Sequence, residues 1–457
     1  MNNTKTIIRD YTEGSLLRQL LTFAVPFMLS ALLQNLYNMV DTIVVGQYVG
    51  SAGISGVSVG GQITNLMTNL VMGFSTAGQV MVSRYVGSKS YDNLKKTMGT
   101  LFSVTILFAL ALTAFCELFC ATLLRWMNTP AEAIDQARAY LSICSVGFVF
   151  VCGYNAACAV LRGSGDSRRP FVIIAATSVT NLALDLLFVA VFRMEAAGAA
   201  IATVFSQAVS MVLAVCILYR HRDSYRFSFR LSSFRPDAHE LRLLVRQGIP
   251  LALKSASISL SALFINSFVN SFGVVASAAI AVGNKLEHLP SIVTQGLYNA
   301  GTAMIGQNVG AGRYDRVKKL VRINLLCCVT VFTLFGVGFL LFPEAVFRLF
   351  TSEEEVLAYA PAFVRVMLVA FTASALMCPF YSVVIGIGNA AFNLVISLLD
   401  GIVLRIGLGL LFGRVLGMGV VGFFLGSALA AFGTSIPAMI YYFTGRWKTF
   451  KLDKKAS

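Results

Sequence analysis

The sequence predicts an all-α polytopic membrane protein with twelve transmembrane helices in two pseudo-symmetric six-helix halves. Three observations carry this. The 457 residues are 57% hydrophobic and 12% charged, against about 25% charged in ordinary soluble domains. Apolar runs long enough to cross a bilayer core, roughly 20 residues each, recur from end to end. Finally, one motif occurs twice: Val86, Gly87, Tyr91, Asp92, Lys95 and Lys96 return as Val309, Gly310, Tyr314, Asp315, Lys318 and Lys319, 223 positions later. A repeat at about half the chain length marks a duplicated protein, and among apolar chains duplication is a habit of transporters.

The predicted spans are 16–46, 52–83, 93–123, 132–161, 169–192, 197–219, 241–271, 276–307, 317–345, 355–385, 389–413 and 418–444. They are continuous apolar runs without period-two alternation, which excludes a β-barrel. Several exceed the bilayer thickness and must tilt or kink. Pro26 in span 1 and Pro250 in span 7 are the candidate kink points. The halves align elsewhere too: Val59-Gly60 with Val282-Gly283, Gly163 and Gly165 with Gly386 and Gly388, and Met194 and Gly198 with Met418 and Gly422 one position further on. Six spans return the chain to its starting side, so the repeats are parallel. Residues 1–222 form the first lobe and 223–457 the second, with 220–240 as the linker.

The net charge is +15, yet its distribution argues against nucleic acid as a partner. Lys and Arg sit on alternate loops: Lys5, Arg9 and Arg18; Arg84, Lys89, Lys95 and Lys96; Arg162, Arg168 and Arg169; the stretch from Arg220 to Arg246; Arg313 to Arg322; and Arg446 to Lys455. About three quarters of them fall on one side, which the positive-inside rule assigns to the cytoplasm. Both termini are then cytoplasmic, in a multi-pass protein of the cell membrane, and the basic face suits anionic headgroups. No cleavable signal peptide is expected. The nine cysteines are odd in number, lie inside apolar segments and lack zinc-ligand spacing, so they read as small buried residues. No phosphate-binding loop is present, so transport draws on an ion gradient or is passive, and no enzymatic activity is expected.

Ionisable residues inside a membrane are costly and mark functional candidates. Asp41 lies towards the outer end of span 1 and Asp185 in span 5. Tyr37 precedes Asp41 by four and Asn181 precedes Asp185 by four, which puts each pair on one helix face. With Thr203 of span 6, both aspartates lie on the order of 10 Å below the outer surface by helical rise. Burial disfavours a charged carboxylate, and two neighbouring carboxylates repel. Such a pair can take up and release a proton as a coupled unit. The same oxygens, with those of Asn181 and Thr203, could instead hold a bare cation such as Na+. The blander reading is that the aspartates merely cap or bridge helices. In the second half, Glu287 and Asp400 are second-rank candidates. Lys254 is expected to snorkel to the cytoplasmic side. Asp400 and Arg405, five apart, are poorly placed to pair on one helix, so partners on other spans are expected. The 35 Phe and 15 Met could line a cavity for aromatic cations, without any one being assigned to substrate.

Tyr37 with Asp41, Leu-Arg-Gly-Ser-Gly-Asp at 161–166, Asn181 with Asp185, Gly-Ala-Ala-Ile-Ala-Thr at 198–203 and the repeated Val-Gly-x-x-x-Tyr-Asp loop resemble the MATE family of multidrug and toxic compound extrusion transporters. The pattern is closer to the DinF-like than to the NorM-like members and covers nearly the whole chain. The resemblance implies an N-lobe and a C-lobe around a central cavity. It also implies export of amphipathic or cationic small molecules in exchange for H+ or Na+, with no cofactor. It places coupling at positions matching Tyr37, Asp41, Asn181, Asp185 and Thr203, and a protonation-linked bend at Pro26. The acidic C-lobe cluster of NorM-like members is not evident, since span 7 carries Lys254. A monomer is expected.

Two other readings stay open at this stage. A lipid or lipid-linked oligosaccharide flippase of a related superfamily would line its groove with Arg, whereas here Lys254, Lys285 and Arg405 are the basic residues well inside spans. An intramembrane aspartyl protease is suggested by Gly163-Ser164-Gly165-Asp166. However, Ser167-Arg168-Arg169-Pro170 follows, which reads as a short cytoplasmic loop.

Overall fold

The structure, a computed structural model, describes residues 7–450. Of the predicted basic residues, Lys5, Lys451, Lys454 and Lys455 lie outside that range. The described residues are helical and contain no β-strand. Twelve long helical rods follow one another: α1 Leu16–Gly50, α2 51–87, α3 Tyr91–Trp126, α4 Ala131–Val146 continued as Phe148–Gly163, α5 Arg168–Val191, α6 Glu195–Arg220, α7 Ala238–Asn270, α8 Val274–Gly310, α9 Tyr314–Leu341, α10 Ala360–Gly386, α11 Ala390–Val415 and α12 Gly419–Phe443. Nine are long and apolar enough to cross a membrane, and a tenth is α4, whose parts meet at 45°. The other two, α2 and α8, are as long but more polar. Several of their polar side chains line cavities, among them Gln62, Asn65 and Thr68 of α2 and Asn284 and Glu287 of α8.

Duplication is written into the backbone. Left-handed conformations recur at the repeat offset: Gly50 (φ 79°) with Gly273 (φ 100°), Lys89 (φ 57°) with Gly312 (φ 70°), and Gly165 (φ 89°) with Gly388 (φ 74°). Gly50 ends α1 and Gly273 ends the turn after α7. At each point the chain must reverse, and glycine enters the left-handed region without a Cβ penalty. Arg193 and Glu195 match Gly417 and Gly419, one position further on, as Met194 matches Met418. In the repeated loop, Lys95 pairs with Asp92 at 2.6 Å and Lys318 with Asp315 at 3.7 Å.

The chain forms two compact units. Residues 7–10 and 29–252 make one; residues 11–28 and 253–450 make the other. In the first unit, the opening half of α7 runs so close to α2 that a Cβ at Gly73 would lie 2.5 Å from the Ala252 nitrogen. The linker docks on the same unit: Glu240 accepts hydrogen bonds from the Thr97 hydroxyl at 2.8 Å and the Tyr85 hydroxyl at 3.1 Å. Its aromatic residues cluster, with Phe227 and Phe229 4.8 Å apart edge to face and Phe102 6.0 Å from Phe234. Most cysteines are buried as expected, Cys116, Cys120 and Cys152 in one apolar cluster with Ile63, Met67 and Phe148. Cys216 departs from this and is exposed on α6.

Candidate functional site

The site is built in the first unit by α1, α4, α5 and α6. An apolar cluster fixes these helices against one another: Val44 and Val45 from α1, Tyr140 and Cys144 from α4, Val189 from α5, and Ala196, Ala199 and Ala200 from α6. The alanines let the backbones approach closely, as small residues do in membranes. One turn away from this cluster, the polar residues of the same helices converge. The carboxyls of Asp41 and Asp185 meet side by side, Tyr37 faces Thr203, and Asn181 is buried on the same face of α5.

Two cavities adjoin them. The larger, about 460 Å³, is lined by Tyr37, Asp41, Asn65, Tyr140, Thr203 and Gln207, among others. The smaller, about 40 Å³, is lined by Asn181 and Tyr154, with Tyr37 and Thr203 forming the shared wall. The sequence reading therefore placed all five first-half residues in one neighbourhood. It missed Gln34 and Gln207, which line both cavities. Spacing could have found them: Gln34 lies three before Tyr37 and Gln207 four after Thr203, so each shares a helix face with a residue already chosen.

The hydrogen-bond accounting is unusual. One Asp41 oxygen, both Asp185 oxygens and both polar atoms of Asn181 are buried and have no partner. A buried polar group left unpaired costs about 1–3 kcal/mol. Ionised carboxylates only accept, so Asp41 and Asp185 can bond to each other only if one carries a proton. A proton on one carboxyl would let it donate to the other. Among the described residues no three His, Cys, Asp or Glu side chains converge on a metal site.

The second-unit expectations need two corrections. Arg405 does reach Asp400 on its own helix, Nη2 to Oδ1 at 3.0 Å. Residues 399–404 wind as a π-helix, whose i to i+5 bonding brings residues five apart over one another. The Thr434 hydroxyl donates to the other Asp400 oxygen at 2.8 Å, so Asp400 is neutralised in place. Lys254 does not snorkel: its ammonium lies 3.7 Å from the centre of the Tyr381 ring, on the wall of a cavity that Glu287 also lines. Pro26 sits inside α1 without interrupting its helical dihedrals, which break only at Gly50. Asp166 caps α5, accepting from the Arg168 and Arg169 backbone N–H groups at 3.0 and 3.2 Å and pairing with the Arg169 side chain.

Duplicated apolar helices, with a pair of buried carboxyls beside a polar cavity, define a secondary membrane transporter. The MatE family model matches residues 26–187 and 250–411, once in each half, and the chain belongs to that family, the multidrug and toxic compound extrusion transporters. It is 29% identical over 446 residues to the probable multidrug resistance protein YpnP of Bacillus subtilis (strain 168), covering 97% of this chain and 98% of that one. It is 27% identical over 359 residues to the probable multidrug resistance protein YoeA of the same organism, covering 78% of each. The outward-facing structure of a multidrug resistance MATE transporter of the MOP superfamily superposes with a TM-score of 0.89 at 20% identity, covering 98% of this chain and 100% of that one. The two-lobe, twelve-helix fold is therefore that of this family, and the protein is a multi-pass efflux transporter.

Proposed function

We propose that the protein exports amphipathic organic cations and drugs across the cell membrane in exchange for H+ or Na+, with both termini cytoplasmic. Coupling is at Asp41 and Asp185, the DinF-like arrangement. The observation that carries this reading is the pair of adjacent carboxyls, three of whose four oxygens are buried without a donor, with Asp41 on the wall of a 460 Å³ cavity.

The chemistry follows from what the pair lacks. As carboxylates, Asp41 and Asp185 attract a cationic substrate into the cavity, where Tyr37 and Tyr140 offer aromatic faces. A proton taken up from outside lets one carboxyl donate to the other. Na+ held by the two carboxyls with Asn181 and Thr203 oxygens has the same electrostatic effect. Either removes negative charge and weakens the hold on the substrate, which leaves. Alternating access then exposes the site to the cytoplasm, where the coupling ion departs. The gradient suffices: one pH unit supplies about 1.4 kcal/mol, and 100 mV about 2.3 kcal/mol per charge moved. Tyr37, Asn181 and Thr203 position the carboxyls, and Pro26 is the hinge of α1.

The test is efflux of a fluorescent organic cation from proteoliposomes, with pH and Na+ gradients imposed separately. Wild type responds to one gradient, which identifies the ion. Asp41→Asn and Asp185→Asn lose at least tenfold of the driven rate. Unchanged driven efflux in both variants would overturn the assignment.

A further inference from the structure

The second unit holds a cavity of about 270 Å³ inside its own helix bundle, lined by four charged side chains: Lys254 of α7, Glu287 of α8, and Asp400 and Arg405 of α11. Two of them pair directly, although the Arg405 Nε is buried without a partner. Asp400 is held by Arg405 at 3.0 Å and by the Thr434 hydroxyl at 2.8 Å, and is nearly fully buried. The other two are left over. Lys254 and Glu287 make no ion pair among the described residues, with each other or with any neighbour within 4.0 Å.

Lys254 is held against an aromatic face rather than in a direct ion pair. Its ammonium sits 3.7 Å from the centroid of Tyr381. That ring is itself fixed, stacked on Tyr298 at 5.8 Å and donating its hydroxyl to Asn393 at 2.5 Å. A ring face attracts a cation but carries no net charge to cancel it. Asp400 acts on Lys254 and Arg405 on Glu287 only from beyond ion-pair distance, so two costly charges of opposite sign are left without a direct partner on the wall of one cavity.

The complementarity is specific. A bare cation entering this cavity meets Glu287 but is repelled by Lys254, and a bare anion meets the reverse. A molecule carrying both charges satisfies both walls. The apolar part of the lining, including Ile258, Ile265, Ile280 and Met377, accepts a ring or short chain between them. We propose that this second-unit cavity is a binding site for amphipathic zwitterions, with the carboxylate of the ligand on Lys254 and its ammonium on Glu287. It is separate from the Asp41–Asp185 pair and does not depend on which ion drives transport.

The experiment is equilibrium binding to the full-length protein in nanodiscs, without any gradient. The probes are para-(aminomethyl)benzoate and its longer homologue para-(aminoethyl)benzoate. Their controls are para-methylbenzylamine and para-methylbenzoate, each lacking one charge. Wild type binds at least one zwitterion about tenfold or more tighter than either control, the scale of one charge-assisted contact. Lys254→Met loses the preference over para-methylbenzylamine while still binding that amine, which also shows the variant is folded; Lys254→Arg retains it. Glu287→Gln loses the preference over para-methylbenzoate. Equal binding of zwitterions and controls by wild type would overturn the proposal. So would preferences that survive both Lys254→Met and Glu287→Gln.

Discussion

Gly73 and Gly296, 223 positions apart, do the same work in opposite halves. A Cβ at Gly73 would lie 2.5 Å from the backbone nitrogen of Ala252 in α7; one at Gly296 would lie 2.9 Å from the carbonyl oxygen of Ala24 and 2.5 Å from Met28 in α1. The first stretch of each half's opening helix thus packs on the second helix of the other half, within one compact unit. The exchange point falls between Met28 and Leu29 in α1 and between Ala252 and Leu253 in α7. Each lies two residues beyond a proline, Pro26 or Pro250.

Gly73→Ala is expected to cost more stability than Gly296→Ala. At Gly73 the nearest atoms are backbone and cannot yield, whereas at Gly296 the Met28 side chain can move aside and only the Ala24 carbonyl resists. Overpacking of this kind costs about 1–3 kcal/mol. Thermal unfolding of the two purified variants beside wild type checks the order.

Pro26→Ala and Pro250→Ala should each raise thermal stability while slowing efflux. Proline removes one backbone hydrogen bond and its ring presses on the preceding turn. Restoring the bond stiffens α1 or α7 just where it passes between units. Faster transport in either variant would remove the hinge role from that proline.

Asp185→Asn should stabilise the protein while abolishing coupled transport. Both Asp185 oxygens are buried without a donor, so the carboxylate costs stability. An amide supplies donors of its own that the Asp41 carboxyl can accept, which relieves an unpaired group of about 1–3 kcal/mol. The measurement pairs a melting curve with driven efflux; a variant both less stable and fully active would contradict the argument.

Arg405→Met should be among the more damaging single changes in the second half. It strands Asp400, which is 3% exposed, with only the Thr434 hydroxyl as partner. Breaking a buried pair costs about 3–5 kcal/mol. The double variant Asp400→Asn with Arg405→Met removes both charges and should recover most of the loss in melting temperature.

Lys89→Gly is expected to stabilise the loop after α2 by about 1 kcal/mol. Lys89 holds φ at 57°, and its counterpart in the second half is Gly312 at 70°. A side chain in the left-handed region costs about 1–2 kcal/mol, and part of that is offset by the extra unfolded-chain freedom of glycine. A Gly50→Ala variant, at the turn between α1 and α2, should lose a similar amount, because nothing lies within 4 Å of its Cβ position and only backbone strain acts.

The linear sequence determined the membrane class, the twelve helical rods, the duplication and which polar residues of the first half share a helix face. Those features follow from local periodicity and offset. Apolar run lengths match the bilayer, the 223-residue repeat fixes equivalent turns, and a four-residue spacing puts Tyr37 with Asp41 and Asn181 with Asp185 on shared helix faces. What only the tertiary structure decided depends on winding and on neighbours distant in the chain. Asp400 and Arg405 looked mismatched because α-helical geometry was assumed, and a π-helical stretch brings them together. Lys254 looked free to snorkel because Tyr381, 127 positions away, could not be placed over it. Gln34 and Gln207 share helix faces with Tyr37 and Thr203, but that they line a cavity is decided by packing. Local hydrophobic pattern selects the elements; which charges meet across them is set by long-range packing, which no run of neighbours along the chain encodes.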